Sequence, residues 1–260
     1  MKCPDREARN QRVLVAEDEL VAQRVARRCL EGLGYSVFVV DDGAAAVHAC
    51  AQQEFGFILM DLQMAHMDGL QAAQEIRRQE RPGERVPIFG LSATAARDEL
   101  ANCTAAGMNG LLIKPLQRAR LHQALEELRQ GRPGRVLTAA ELPDSAAPVK
   151  EPVDLVTLRA KFGDDPVFMH RLHRAFLTSA GQLLHELGRA AETGERTLLR
   201  ALAHKIKGAG TNIHAHRFAT LAARIESESS SMPPADLSRT VDALRRAFDE
   251  VTAYISSELR

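Results

Sequence analysis

The chain has few of the features that mark nucleic-acid-binding, membrane or disulfide-rich proteins. It has 260 residues with no tryptophan and two tyrosines, and its 34 basic side chains balance 34 acidic ones. A neutral chain has no general electrostatic attraction for nucleic acid or for an anionic membrane. Apolar runs also fall well short of the roughly 20 residues that a membrane span needs. We therefore expect neither nucleic-acid binding nor membrane insertion.

Cysteine is scarce and its placement argues against disulfides and zinc. Cys3, Cys29, Cys50 and Cys103 all lie in the first half of the chain, and no pair has C-x-x-C spacing. We expect free thiols in a reducing compartment. The first ten residues are polar and lack the apolar core of a signal peptide. These features predict a cytoplasmic protein.

Short, nearly continuous apolar runs alternate with amphipathic patterns over residues 11–130. Such runs are typical of strands that are buried on both faces of a parallel sheet. The runs are 12–16, 35–40, 55–61, 86–91 and 110–114, and the helical patterns are 19–32, 43–53, 69–80, 94–106 and 117–129. The alternation predicts an α/β domain with a doubly wound, five-stranded parallel sheet.

The second half of the chain has a different texture. Residues 131–152 contain four prolines among small and polar residues, which predicts a linker. Residues 153–260 show only helical patterns, over about 154–162, 165–192, 195–210, 213–229 and 235–258. Asp165 followed by Pro166 is a typical helix start. We predict a separate, all-α helical bundle.

Polar residues follow four of the five predicted strands. Glu17 and Asp18 come after the first strand, Asp61 ends the third, and Ser92 and Lys114 come after the fourth and fifth. Each alone has an ordinary explanation as a helix cap, a turn residue or a solvated charge. In a doubly wound sheet, however, ligands bind at the carboxyl ends of the strands. An oxygen-only cluster there suits Mg²⁺, and a carboxylate beside the metal can accept a phosphoryl group.

At these positions the segments VLVAEDE, ILMDLQMAHMDG, GLSA and LLIKP resemble the motifs of CheY-like receiver domains of two-component systems. The resemblance covers about residues 12–130 and implies a flavodoxin-like fold with Asp61 as the phosphoacceptor. It also implies that Asp18 binds Mg²⁺ directly, that Glu17 acts mainly through water, and that the backbone carbonyl of Gln63 is a further ligand. Ser92 and Lys114 would bind the phosphoryl oxygens.

Two residues depart from the receiver pattern. Ala65 stands where receivers usually have proline, in the loop after the phosphoacceptor. Leu111 stands where many receivers have an aromatic residue that turns inward on phosphorylation. The second departure argues against activation by an aromatic switch.

A histidine in the second half lies on the polar side of a predicted helix. At about 100° per residue, His204 lies about 200° from Leu202 and is expected to point to solvent. The apolar stripe of this helix contains Leu199, Leu202, Ile206 and Ile213. Lys207 could stabilise charge on a group bound to His204, and Gly208 leaves room for a docking partner. An exposed imidazole of this kind can attack an acyl phosphate.

With the bundle as context, HKIKG followed by Ile225-Glu226 is similar to the H-x-L-K-G motif of histidine-containing phosphotransfer (HPt) domains. The resemblance covers about residues 153–258 and implies that His204 is a second phosphoacceptor. His214 stands where these domains often have glycine, so the turn there is expected to differ. We discount a metal pair of His214 and His216, because their i, i+2 spacing puts them on different helix faces.

The combined pattern predicts a phosphorelay protein in which Asp61 and His204 exchange phosphoryl groups with each other or with partner receivers. Neither a glycine-rich ATP lid nor a D-x-G-x-G pattern occurs in the helical half, so the phosphoryl source would be a sensor or hybrid histidine kinase. The chain itself would not be an enzyme, although phosphatase activity is left open. Phosphohydrolases with a nucleophilic aspartate usually have a second carboxylate two residues on, where this chain has Gln63. An alternative is a phosphorylation-gated receiver whose helical domain sequesters a regulatory protein.

Overall fold

The apolar runs of the first half form one parallel sheet. The computed structural model describes residues 11–81, 83, 85–93, 97–130, 136–137, 151–163 and 165–258. The chain divides into two compact units, one built on the sheet and one made of helices, and each is described by itself. The strands are β1 (Arg12–Ala16), β2 (Ser36–Val40), β3 (Phe57–Asp61), β4 (Ile88–Ser92), β5 (Gly110–Ile113) and β6 (Val136–Leu137).

The strand order of the sheet is β2-β1-β3-β4-β5-β6, with every pair parallel. All residues of β3 and β4 are buried, as the continuous apolar runs predict for strands covered on both faces. The helices between the strands are α1 (Leu20–Glu31), α2 (Gly43–Gln52), α3 (Gly69–Gln79), α4 (Arg97–Ala105) and α5 (Arg118–Arg129). The prediction of a doubly wound parallel sheet with five strands and flanking helices is confirmed.

A sixth strand extends the sheet beyond the five that the sequence predicts. Val136 and Leu137 pair with Leu111 and Leu112 at the β5 edge, inside the segment predicted as a linker. At these two residues the chain is therefore part of the sheet. Most of the rest of the predicted linker lies outside the described residues, and the domain bounds 11–130, 131–152 and 153–260 stay predictions.

The start of α3 brings the chain close to the end of β3. The Asp68 side chain accepts a hydrogen bond from the Gln71 backbone N–H, and the Gln71 side chain bonds back to Asp68 in a capping box. The backbone N–H of Gly69 donates to the Leu62 carbonyl at 3.2 Å. A β-carbon at Gly69 would collide with the backbone carbonyl of Asp61, so the close approach requires glycine.

Three cysteines of the sheet unit are free, as the sequence predicts. They are Cys29, Cys50 and Cys103. Burial raises the pKa of the Cys50 thiol to about 12 and that of Cys103 to about 11, with smaller contributions from Glu80 and Glu99. Both thiols are therefore protonated and unreactive at neutral pH. Cys3 lies outside the described residues.

The second unit consists of helices and confirms the predicted all-α fold. The helices are α6 (Leu155–Phe162), α7 (Pro166–Thr193), α8 (Arg196–Asn212), α9 (His216–Glu228) and α10 (Pro234–Glu258). Each of the four longer helices packs against the next, and α10 packs against α7, which closes a four-helix bundle. Asp165 caps α7 with Pro166 in its first turn, and Gly194 ends α7 in the left-handed conformation.

The bundle core is built on the apolar stripe of α8 and a cluster of aromatic rings. Leu199, Leu202, Ile206 and Ile213 are at most 5% exposed, as their helical spacing predicts. The rings of Phe176, Phe218 and Phe248 lie 5.4–6.1 Å apart, which is the usual range for aromatic pairs.

The turn between α8 and α9 contains a histidine in an unusual backbone conformation. His214 has φ 57°, in the left-handed region that glycine adopts most easily. Its carbonyl accepts a hydrogen bond from the backbone N–H of Asp154, which caps α6. Burial, with help from Lys161 and His216, lowers the pKa of His214 to about 4. The turn thus keeps the backbone shape of a glycine turn and holds a neutral imidazole.

Candidate functional site

Three carboxylates converge at the carboxyl edge of the sheet. Glu17 and Asp18 follow β1 and Asp61 ends β3, and one ligand oxygen from each lies within 4.8 Å of the others. Glu17 is 1% exposed and Asp61 is 3% exposed. Because β1 and β3 are neighbours, the parallel register brings their last residues to the same edge. Buried carboxylates need compensating charge, so this arrangement calls for cations.

Lys114 supplies one of these charges. Its ammonium nitrogen lies 2.6 Å from Glu17 Oε2 and 2.8 Å from Asp61 Oδ2. Burial alone would lower the pKa of Lys114, but the two carboxylates outweigh burial and raise the pKa above its ordinary value. Lys114 is therefore fully charged at neutral pH and holds the Asp61 carboxylate in place.

The loop after β3 donates backbone hydrogen bonds to two of the carboxylates. The N–H of Gln63 donates to Asp61 Oδ1 at 3.2 Å, and the N–H of Ala65 donates to Asp18 Oδ2 at 3.3 Å. Proline at position 65 could not make the second bond, because it has no N–H. Ala65 thus adds a contact to Asp18 that the more usual residue would lack. The role of the Gln63 carbonyl as a metal ligand stays a prediction.

The carboxylate cluster fits Mg²⁺ by its chemistry and spacing. Its ligands are oxygens alone, which suits a hard divalent cation. Two oxygens bound to one Mg²⁺ lie at most about 4.2 Å apart, so the observed spacing requires only a small adjustment. One divalent cation together with Lys114 would balance the formal charge of the three carboxylates.

Ser92 ends β4, which lies between β3 and β5, the strand that Lys114 follows. Its hydroxyl contacts Glu99, a residue that the sequence did not indicate. Asp61 is in register with Leu91, and Ser92 is in register with Ile113, the residue before Lys114. Ser92 is 6% exposed, and its hydroxyl donates to Glu99 Oε2 of α4 at 2.6 Å. Glu99 comes seven residues later on a helix, so no motif marks it.

Leu111 is fully within the interior of the sheet unit. It is 1% exposed, and a β-carbon added at Gly90 would lie 3.1 Å from its Cδ1 atom. The side chain thus packs closely against β4. It offers no aromatic ring that could move between an exposed and a buried position.

The second predicted acceptor, His204, is less exposed than its position on the helix suggested. It lies on α8 opposite the apolar stripe, but its side chain is only 15% exposed. The reason is Glu226 on α9, whose Oε1 lies 2.7 Å from His204 Nδ1. His204 thus lies on the polar side of the helix as predicted, and the contact with Glu226 covers part of its side chain, which a helical wheel cannot show because it ignores the neighbouring helix.

Glu226 contacts Lys207 as well as His204. Its second oxygen, Oε2, lies 2.7 Å from Lys207 Nζ. Burial would raise the pKa of Glu226, but the hydrogen bonds from His204 and Lys207 lower it to about 2. Because the carboxylate is ionised and can only accept, the proton of the imidazole must sit on Nδ1. Nε2 then carries the lone pair of the neutral ring.

Two glycines of α8 have opposite surroundings. A β-carbon at Gly208, one turn after His204, would meet nothing within 4 Å. A β-carbon at Gly210 would lie 2.7 Å from Phe218 Cδ1. Gly210 is therefore needed for packing against α9. Gly208 has no packing role among the described residues, and the docking surface at this position stays a prediction.

Two family models match the chain. Residues 13–126 match the response regulator receiver domain, and residues 171–254 match the Hpt domain. The first match contains the carboxylate cluster, Ser92 and Lys114. The second contains His204, Lys207 and Glu226.

Within the described residues, no helix is long and apolar enough to cross a bilayer.

The chain is also similar to sensor proteins. It is 26% identical to the sensor protein EvgS of Escherichia coli K12, over 82% of this chain and 17% of EvgS. It is 26% identical to the virulence sensor protein BvgS of Bordetella pertussis, over 96% of this chain and 20% of BvgS. The chain thus spans a fifth or less of the length of these relatives.

Among solved structures, one similar to this chain is the receiver domain of the sensor histidine kinase PA1611 from Pseudomonas aeruginosa PAO1, crystallised with a magnesium ion in its active site cleft. The two are 44% identical over 45% of this chain and 95% of that one, with a TM-score of 0.42.

Proposed function

We propose that this chain, which belongs to the two-component signalling proteins as a receiver domain followed by an Hpt domain, relays phosphoryl groups through Asp61 and His204. The observation that supports this proposal is that both proposed acceptor side chains are held in place by charged neighbours. Asp61 is held by Lys114 within the carboxylate cluster, and His204 is held by Glu226 on the face that contains Gly208.

At the first acceptor, an Asp61 oxygen attacks the phosphorus of a donor phosphoryl group. The bond from phosphorus to the donor breaks, its electron pair leaves with the donor, and an acyl phosphate forms on Asp61. Lys114 and Ser92 stabilise the charge on the transferring oxygens. Glu17, Asp18, Asp61 and the Gln63 carbonyl would hold Mg²⁺, which would supply further charge neutralisation when bound.

At the second acceptor, the lone pair of His204 Nε2 attacks the phosphorus of an acyl phosphate. The bond between phosphorus and the aspartate oxygen breaks, and its electron pair restores the carboxylate. Glu226 retains the proton on Nδ1 and fixes the ring throughout. The same step can run in reverse, so Asp61 and His204 can each act as donor or acceptor.

The proposed partners follow from this chemistry. A sensor or hybrid histidine kinase would supply the phosphoryl group, and other receiver or HPt domains would exchange it with His204. The similarity of this chain to the sensor proteins EvgS and BvgS supports this class of partner. The chain would act as a cytoplasmic phosphotransfer intermediate and would not itself use ATP.

Labelling with a small acyl-phosphate donor tests the first acceptor. With acetyl phosphate and Mg²⁺, the wild-type chain should become labelled, whereas the Asp61→Asn variant should not. When Mg²⁺ is chelated before the donor is added, most of the labelling of the wild-type chain should be lost. Asp41→Asn is a matched control, because Asp41 is an exposed carboxylate that follows β2 at the same edge of the sheet. An unlabelled wild-type chain, or equal labelling of the Asp61→Asn variant, would contradict the proposal.

A further inference from the structure

The hydroxyl of Ser92 is engaged by a carboxylate that the relay chemistry does not use. Ser92 Oγ donates to Glu99 Oε2 at 2.6 Å. A serine hydroxyl has one proton, so it can donate to only one acceptor at a time. The proton that would stabilise a phosphoryl oxygen is therefore directed at Glu99.

The position of Ser92 makes this contact important for phosphoryl transfer. β4 lies between β3, which ends in Asp61, and β5, which leads to Lys114. The backbone N–H of Lys114 donates to the Ser92 carbonyl at 2.7 Å, so the backbones of these two residues are directly bonded. The Ser92 side chain thus projects from the strand flanked by the nucleophile and the lysine.

The Glu99 carboxylate has two effects on an incoming phosphoryl group. A hydroxyl hydrogen bond to a carboxylate is about twice as strong as one between neutral groups, so the Ser92 proton is held firmly. The carboxylate is also negatively charged, and it would repel phosphoryl oxygens that come close to the Ser92 hydroxyl. Both effects favour the state in which Asp61 carries no phosphoryl group.

We propose that Glu99 is a positioning residue for the phosphoryl site: it holds the Ser92 hydroxyl in the unphosphorylated protein and must release it when Asp61 carries a phosphoryl group. This inference rests on the proposed function of Asp61. Glu99 lies on α4, so the exchange links occupancy of the site to the start of that helix. The link does not need an aromatic ring at the position of Leu111.

Beryllium fluoride, a stable mimic of the phosphoryl group on aspartate, tests this proposal by equilibrium binding. Its affinity for the full chain with Mg²⁺ is measured by ¹⁹F NMR for wild type, Glu99→Gln, Ser92→Ala and the double variant. Glu99→Gln removes the charge and weakens the bond to Ser92, so we expect roughly three- to tenfold tighter binding. In the Ser92→Ala background the same change should tighten binding clearly less than it does in wild type, because the hydrogen bond to Ser92 is absent and only the charge repulsion remains.

Asp98→Asn is the matched control, since Asp98 is an exposed carboxylate one residue earlier on α4. It should leave the affinity within about twofold of wild type, because exposed charges are strongly screened. Unchanged binding in Glu99→Gln would overturn the proposal. Equal tightening with and without the Ser92 hydroxyl would also overturn it, because Glu99 would then act by charge alone. If wild type binds no beryllium fluoride while it remains folded, the proposed role of Asp61 fails instead.

Discussion

At each proposed acceptor, one charged side chain contacts two others. Lys114 contacts both Glu17 and Asp61, so it compensates charge and orients the nucleophile together. At the second site, one carboxylate, Glu226, contacts both His204 and Lys207. The sequence motif names the histidine and the lysine, and it includes Glu226 without a role. Glu226 is 22 residues from His204, so their contact depends on how α8 and α9 pack.

Removing the charge of Glu226 should slow transfer at His204. In Glu226→Gln, the amide oxygen can still accept from Nδ1, but the charge that stabilises the phosphorylated ring and pairs with Lys207 is lost. We expect a rate of phosphoryl transfer to His204 that is roughly tenfold lower, since a charge-assisted hydrogen bond contributes about 1–2 kcal/mol more than a neutral one.

Transfer kinetics with a phosphorylated receiver would measure this effect. Glu228→Gln is the control, because Glu228 is an exposed carboxylate two residues later that pairs with Arg224. A normal rate in Glu226→Gln, or an equal loss in Glu228→Gln, would show that Glu226 does not position His204.

Helices and strands differ in how much of their structure their own residues specify. β3 and β4 are apolar throughout because helices cover both faces of the sheet, and this pattern is visible in the sequence. β6 contains only two residues, too few to show a hydrophobic period, so the sequence pattern could not predict it. It forms where the edge of β5 is available for pairing. The partial burial of His204 likewise depends on the neighbouring helix. Features that depend on contacts between elements were the ones that sequence patterns missed.

The two glycines of α8 should respond in opposite ways to substitution. Gly208→Ala adds a methyl group in open space and should stabilise the helix by up to about 1 kcal/mol. Gly210→Ala places a β-carbon against the Phe218 ring and should destabilise the bundle by about 1–3 kcal/mol. Urea unfolding of the full chain followed by circular dichroism measures both changes.

A larger side chain at Gly208 should affect phosphoryl transfer without unfolding the bundle. Gly208→Leu should leave the bundle folded and slow phosphoryl transfer from a receiver roughly tenfold to hundredfold, because a bulky side chain one turn from His204 displaces the docking partner. Full transfer activity in a folded Gly208→Leu variant would show that no partner docks on this face of α8.

At the scale of the whole molecule, the proposal places an aspartate acceptor and a histidine acceptor in one chain. β6 holds the chain to the sheet as far as Leu137, and the segment predicted as a linker ends at residue 152. The relay proposal covers transfer between Asp61 and His204 of one molecule and transfer between two molecules, because both routes use the same groups.

The most direct test of the relay follows one phosphoryl group from Asp61 to His204. Wild-type chain is labelled at Asp61 with acetyl phosphate, the donor is removed, and label is sampled over time. Acyl phosphate is lost in alkali, whereas phosphohistidine survives alkali and is lost in acid. We predict that alkali-stable label appears in wild type as alkali-labile label declines, and that it never appears in His204→Gln. Mixing labelled His204→Gln with Asp61→Asn would show transfer between molecules. If alkali-stable label appears neither in wild type nor in that mixture, Asp61 and His204 do not form a relay.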